Sequence, residues 1–187
     1  MWLLASIEVV TIFAAHSPEF ALSDYLLRLL SCSAGAPPDS VGRINPTFIV
    51  AWLCACAGAV IRLASYRALG RHFTFEVALQ RDHTLVTSGP YGVVRHPSYI
   101  GSLLTLVGMD LAMFAAGSWA RECAWPAATR SPWAAAAVYA AGLMQIAMVA
   151  GLCRRAPLED EMLQKAFGKQ WFDWAKRVPY RLVPGVY

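Results

Sequence analysis

From Trp133 to Leu152 the chain runs twenty residues, WAAAAVYAAGLMQIAMVAGL, without a single charge. As a helix these residues rise about 30 Å, which is the thickness of a bilayer's hydrocarbon core. A soluble domain of 187 residues has no interior that would cover every face of such a helix. The stretch therefore predicts a membrane span. The remaining composition agrees: 57% of residues are hydrophobic, 15% are charged, and the mean hydropathy is +0.43, whereas a soluble chain averages about 25% charged. Disordered chains and small disulfide-stapled secreted domains are excluded. The formal charge of +4 comes from basic residues scattered at helix ends, so no nucleic-acid partner is expected.

Two further runs qualify as spans, about 48–64 and about 99–119, the first with Arg62 near its end and the second broken only by Asp110. Arg62 lies near enough to its end to snorkel to the headgroups. Residues 1–31 hold one span or a broken pair, because His16, Ser17 and Pro18 interrupt an apolar run there. Met1–Ala15 lacks a basic start and carries Glu8, so no cleaved signal peptide is expected. The resulting fold class is all-α, an integral membrane helical bundle of about four to five spans. It divides into an N-terminal segment, 1–46, and a core, 47–187. Segments 62–97 and 153–187 carry twelve of the sixteen Lys and Arg residues, and 120–132 carries only Arg121 and Arg130. By the positive-inside rule the two basic segments face the cytoplasm, and the chemistry is expected on that side.

The cysteines form no C-x-x-C pair, and Cys54, Cys56 and Cys153 lie in or beside apolar runs. All five read as inert small hydrophobes of the core. The histidines offer no H-x-x-x-H pair, and no metal site is expected. After the last span the spacing predicts a helix over 157–176, with Leu163, Phe167, Trp171 and Trp174 on one stripe. Such a helix either lies amphipathically on the membrane surface or packs on the spans.

Between two spans, His83 to Tyr99 reads HTLVTSGPYGVVRHPSY. Ser-Gly-Pro and the second glycine demand tight turns, and His96-Pro97 sets Pro97 at the start of the next helix. Irregular backbone near a bilayer persists where it is buried in protein or lines a cavity. The loop therefore either forms a polar ligand pocket or acts as a capped connector with interfacial aromatics. Arg155 and Glu159, four apart, share a face if the span's helix continues past Pro157, either as a surface pair or as a site.

Taken together, H-x-L-V-T-S-G-P-Y-x-x-x-R-H-P-S-Y-x-G, then R-x-x-x-E-D-x-x-L-x-x-x-F-G from Arg155, then Arg177-Val178-Pro179, resemble the isoprenylcysteine carboxyl methyltransferase family. Tyr66-Arg67-x-Leu69-Gly70-Arg71-x-Phe73-Thr74 adds to the match, which covers about residues 47–187. The resemblance implies a membrane enzyme that transfers methyl from S-adenosyl-L-methionine to the carboxylate of a prenylated cysteine. It also implies residence in the endoplasmic reticulum with the site facing the cytoplasm. By motif, the cofactor loop is 76–99, and the cofactor contacts fall on Glu76, His83, Thr84, Leu85, Val86, Tyr91, His96, Pro97, Ser98, Tyr99 and Glu159. Glu76 stands where the family also accepts Gln. Arg155 faces the methyl acceptor, as the catalytic and substrate-binding residue. Asp160 occupies a position where a second Glu is usual and is given no chemical role. The alternatives are a related enzyme acting on a lipid amine or small terpenoid acid, a sterol-reductase-like enzyme using NADPH, and a non-catalytic membrane scaffold.

Overall fold

The structure, a computed structural model, describes residues 2–30, 41–70 and 84–186. Among them there is no strand. Seven α-helices follow in order: α1 (Trp2–His16), α2 (Ala21–Leu30), α3 (Pro46–Leu69), α4 (Pro97–Phe114), α5 (Trp125–Arg130), α6 (Pro132–Phe167) and α7 (Lys169–Arg177). Of these, α3, α4 and α6 are long and apolar enough to cross a membrane, and α1 is a shorter apolar helix. No residue in the apolar window of α6 is buried, as lipid contact allows. The chain is an all-α integral membrane protein.

Local chemistry sets the helix ends. Pro46, Pro97 and Pro132 each stand first in a helix, where their missing N–H costs nothing. Asn45 caps α3 by accepting the Phe48 N–H on Oδ1 at 2.8 Å. The expected span 99–119 is shorter in the structure. Gly117 at φ +82° and the Ser118 hydroxyl, bonded to the Met113 carbonyl at 2.6 Å, turn the chain after Phe114. Residues 17–20 break the N-terminal run into the pair α1 and α2, and Ser23 Oγ ties α2 back to the Ser17 carbonyl at 2.6 Å.

The expected helix over 157–176 is also corrected. The 36-residue α6 passes straight through Pro157 and ends at Phe167. Pro157 removes one intrahelical bond, but the turns beside it are held by buried Ala156 and Asp160 and by the Arg155–Glu159 pair. Gly168, at φ +50°, makes the break instead, and the tail helix is α7 alone. At about 1.5 Å per residue, α6 is longer than a bilayer core, so its charged end projects from the membrane.

The chain forms two compact units, residues 1–55 with 106–145 and residues 56–105 with 146–187. In the first, polar side chains serve the backbone. Buried Glu8 accepts the Trp119 N–H at 2.8 Å, and the Trp119 indole donates to the Leu30 carbonyl at 2.9 Å. At Gly108 a Cβ would lie 2.6 Å from the Ala51 carbonyl oxygen, so α3 and α4 approach there through small residues. Cys123 is disulfide-bonded, unlike free Cys54, Cys56 and Cys153, so it is not the inert thiol expected.

In the second unit, α3 and α4 meet at Gly58 and Gly101, and a Cβ on Gly101 would sit 2.7 Å from the Gly58 carbonyl oxygen. Arg62 does not simply extend toward headgroups. Its guanidinium donates to the Ser102 and Tyr66 hydroxyls and lies over the Tyr66 ring.

Candidate active site

The loop before α4 is shaped by its turn residues. Gly89 takes φ +60°, and Gly89–Gly92 form one 3-10 turn with Pro90 at its start. This turn sends Tyr91 inward, where it is buried with Trp174 and Val178. The Trp174 indole donates to the Tyr91 carbonyl at 3.0 Å. Leu85, Val86 and Trp171 pack against the same core, so α7 anchors the loop by packing. Burial, with the Glu159 charge and Tyr66 adding to it, pushes the Tyr91 phenol far above its ordinary range, and it stays protonated.

A charged cluster lies where the loop enters α4. Glu159 Oε1 accepts from Arg155 Nε at 2.7 Å and from the Tyr99 hydroxyl at 2.6 Å. Its Oε2 lies 3.4 Å from His96 Nδ1. On the opposite side of the ring, His96 Nε2 lies 3.2 Å from Asp160 Oδ1. Asp160 Oδ2 in turn faces Arg95 Nη2 at 3.2 Å and Arg181 Nε at 2.9 Å. His96 and Tyr99 stack, with ring centroids 5.4 Å apart and planes 10° from parallel.

A neutral imidazole carries one N–H, whereas here each ring nitrogen faces a carboxylate; only the imidazolium satisfies both. Burial opposes that charge. The hydrogen bonds to Asp160 and Glu159 outweigh it and raise His96 above the ordinary imidazole range. With His96 charged, four cations meet two carboxylates, and the cluster keeps a cationic surplus. The side chains of Arg155 and Glu159 remain 32% and 21% exposed, so this edge of the cluster is open to a ligand.

The structure thus brings together His96, Tyr99, Arg155 and Glu159 from among the residues expected in the site. Tyr91 lies within electrostatic reach of Glu159. Pro97 is buried, Ser98, Leu85 and Val86 are half-buried, and Thr84 is exposed. Glu76 and His83 lie outside the described residues. Sequence reading missed Arg95, Asp160 and Arg181 as members of the cluster. A pair of adjacent acids, one of which must face inward on a helix, was the available signal for Asp160.

Comparison with known proteins bears on this arrangement. A profile described as phospholipid methyltransferase matches residues 46–128. Protein-S-isoprenylcysteine O-methyltransferase B of Arabidopsis thaliana is 30% identical over 124 residues, covering 65% of this chain and 52% of the relative. The protein-S-isoprenylcysteine O-methyltransferase of Schizosaccharomyces pombe is 38% identical over 102 residues, covering 46% and 43%. Over these residues the chain is similar to the isoprenylcysteine carboxyl methyltransferases. It spans about half the length of the curated relatives it matches. A Delta(14)-sterol reductase of Mus musculus is also similar, 35% identical over 103 residues that make up 55% of this chain and 20% of the reductase. No solved structure gives a significant match.

Proposed function

We propose that this chain is a membrane methyltransferase that moves a methyl group from S-adenosylmethionine to the carboxylate of an isoprenylated cysteine. The observation that carries the reading is the open edge of the charged cluster, where Arg155 is fixed through Nε by Glu159 beside His96 and Tyr99. The donor set suits this cofactor. Glu159 offers a carboxylate for its ammonium, the cationic surplus favours its carboxylate, and half-buried Leu85 and Val86 offer apolar surface for its base. When bound, the cofactor supplies an electrophilic methyl on a sulfonium.

The remaining work belongs to the chain's own residues. A terminal carboxyl has an ordinary pKa near ~3.5, so the acceptor is already ionised at neutral pH and no general base is needed. Arg155 orients that carboxylate: its guanidinium is planar, permanently charged and unable to take a proton. Such alignment supplies on the order of 7–11 kcal/mol of barrier lowering. The packing of Tyr91 against Trp174 keeps water from the inner side of the loop. A prenyl tail reaches the site from the bilayer while the soluble cofactor enters from the cytoplasm, at a membrane such as the endoplasmic reticulum.

The cationic surplus also attracts a carboxylate acceptor, whereas a neutral amine nucleophile gains nothing from it. Hydride transfer, the reductase alternative, has no evident need of the Arg155–Glu159 pair. A labelled methyl-transfer assay decides among these. Farnesylated cysteine should be methylated and its non-prenylated analogue should not. Transfer to neither, or oxidation of NADPH in place of transfer, would overturn the proposal.

The orientation has its own check. With 62–97 and 153–187 cytoplasmic, Ser131→Cys in sealed vesicles is expected to react with an impermeant thiol reagent from the far side. Labelling from the cytoplasmic face alone would reverse the topology.

A further inference from the structure

Asp160 has no part in the chemistry described so far, yet its carboxylate is held by three partners, as many as Glu159 has, and is the more deeply buried of the two. Its side chain is 5% exposed and meets Arg95, His96 and Arg181 at 3.2, 3.2 and 2.9 Å. The partners come from two stretches far apart in sequence: the loop entering α4 and the segment after α7. Those stretches also pair by backbone, Arg95 N to the Tyr180 carbonyl at 3.0 Å and His96 N to the Arg181 carbonyl at 2.9 Å. Arg95 Nη1 reaches the Val178 and Pro179 carbonyls at 3.3 and 3.1 Å. A buried carboxylate that only needed neutralising would be served by one arginine. Here a second carboxylate oxygen is directed at His96, whose other nitrogen faces Glu159.

We propose that Asp160 is a positioning residue that holds His96 by Nε2 so that Nδ1 faces Glu159, with Arg181 and Arg95 fixing the Asp160 carboxylate for that task. The inference rests on the reading of Glu159 as the residue that receives the cofactor's ammonium. The order of action is Asp160, then His96, then Glu159. Among the described residues, the charged and titratable groups facing the ring are Glu159 and Asp160 from α6 and Tyr99 stacked on it from α4, with Arg155, Arg95 and Arg181 beyond the carboxylates. Removing the Asp160 charge leaves His96 free to become neutral or to turn, and Glu159 Oε2 then loses its facing N–H.

The test uses the full chain in detergent, with S-adenosylmethionine binding by calorimetry, initial rates of methyl transfer, and nitrogen NMR of the labelled imidazole. In the native protein at neutral pH both His96 nitrogens are expected to be protonated; in Asp160→Asn one proton is expected to be lost. The same variant should weaken cofactor binding about tenfold and leave kcat at saturating cofactor within a few-fold. Asp160→Glu should recover most of the affinity. In a His96→Gln background, Asp160→Asn should add almost nothing, because its effect passes through the ring. Equal penalties with and without His96, or an unchanged imidazole in Asp160→Asn, would overturn the proposal. If Asp160→Asn does not fold, Arg181→Gln carries the same cycle, with a severalfold weakening that vanishes in the His96→Gln background; a weakening that persists there overturns it. Native protein that binds no S-adenosylmethionine sinks the reading of Glu159, whereas the imidazole spectrum still reports on Asp160 by itself.

Discussion

Asp110 and Asp160 are both aspartates on long helices, but they keep very different company. Asp160 faces two arginines and a histidine. Among the described residues Asp110 has the side-chain amide of Gln145. The contrast extends to the two compact units that hold them. In the unit of Asp110, polar side chains complete the backbone: Glu8 serves the Trp119 N–H, Asn45 caps α3, and Ser118 closes the end of α4. In the unit of Asp160, charged side chains face one another and leave an open edge at Arg155. A group that completes a backbone bond is a stability device, and substitution there changes folding. Charges gathered with their partners from three segments, one edge left open, fit the proposed ligand site, and substitution there is expected to change binding or rate.

The sharpest separation comes from Arg155→Lys. It keeps the charge and loses the planar fork, so the acceptor carboxylate is misaligned. Turnover is expected to fall about a hundredfold or more, with calorimetric affinity for S-adenosylmethionine nearly intact. A loss of cofactor affinity as large as the loss of rate would show that Arg155 does not face the acceptor.

Glu159→Gln should act on the other ligand. Losing a hydrogen bond to a charged group costs roughly 1.5–3 kcal/mol, or about ten- to a hundredfold. Cofactor binding without any acceptor should weaken by that factor. If both substitutions give small and equal effects, Arg155 and Glu159 form a solvated i,i+4 pair worth only tenths of a kcal/mol.

Charge on His96 gives the cluster a pH signature. Its folded pKa is raised, with Asp160 and Glu159 outweighing burial, so the native state binds the proton more tightly than the unfolded chain does. The associated stability is fully present below the unfolded value, about 6.5, and is lost as pH climbs through the raised folded value. The melting temperature should therefore decline as pH rises above neutrality, and His96→Gln should flatten that decline. An unchanged slope in the variant would assign the pH dependence to another group.

These contrasts also explain what the sequence disclosed. The spans were legible because a charge-free run of twenty residues has one structural outcome, and Pro97 marked the start of another. The end of α6 was not. Pro157 is a strong local breaker, but neighbouring contacts overrode it, while the apolar stripe Leu163, Phe167, Trp171 and Trp174 ran past Gly168 as if one helix continued. The contact of Arg155 with Glu159 was legible because it is local, four residues apart, but only the resemblance of the motifs assigned the pair to a site. Asp160 was passed over because its partners are 65, 64 and 21 residues away at Arg95, His96 and Arg181, and no periodicity records such contacts.

In the backbone-serving unit, Glu8→Ala tests the other half of the comparison. The change strands the Trp119 N–H, and an unsatisfied buried donor costs about 1–3 kcal/mol. Thermal stability should fall while kcat and cofactor affinity of the folded protein stay constant. A kinetic effect at this position would erase the division between the two units.

The smallest effect is expected at Asp110 and Gln145, which meet on α4 and α6. A polar pair between helices in a bilayer is intuitively strong, since hydrocarbon offers neither group another partner. Measured couplings are nearer ~0.6 kcal/mol, because the helices find alternative partners in the unfolded membrane state. A double-mutant cycle of Asp110→Ala and Gln145→Ala should therefore return a coupling of about that size in stability, with methyl transfer unaffected in the folded protein. Asp110 is nonetheless an ionisable residue in a span, a position where charge often marks a pathway. If Asp110→Ala abolishes turnover without lowering stability, Asp110 belongs with Asp160 as a working carboxylate, and the contrast between them fails at the residue that defines it.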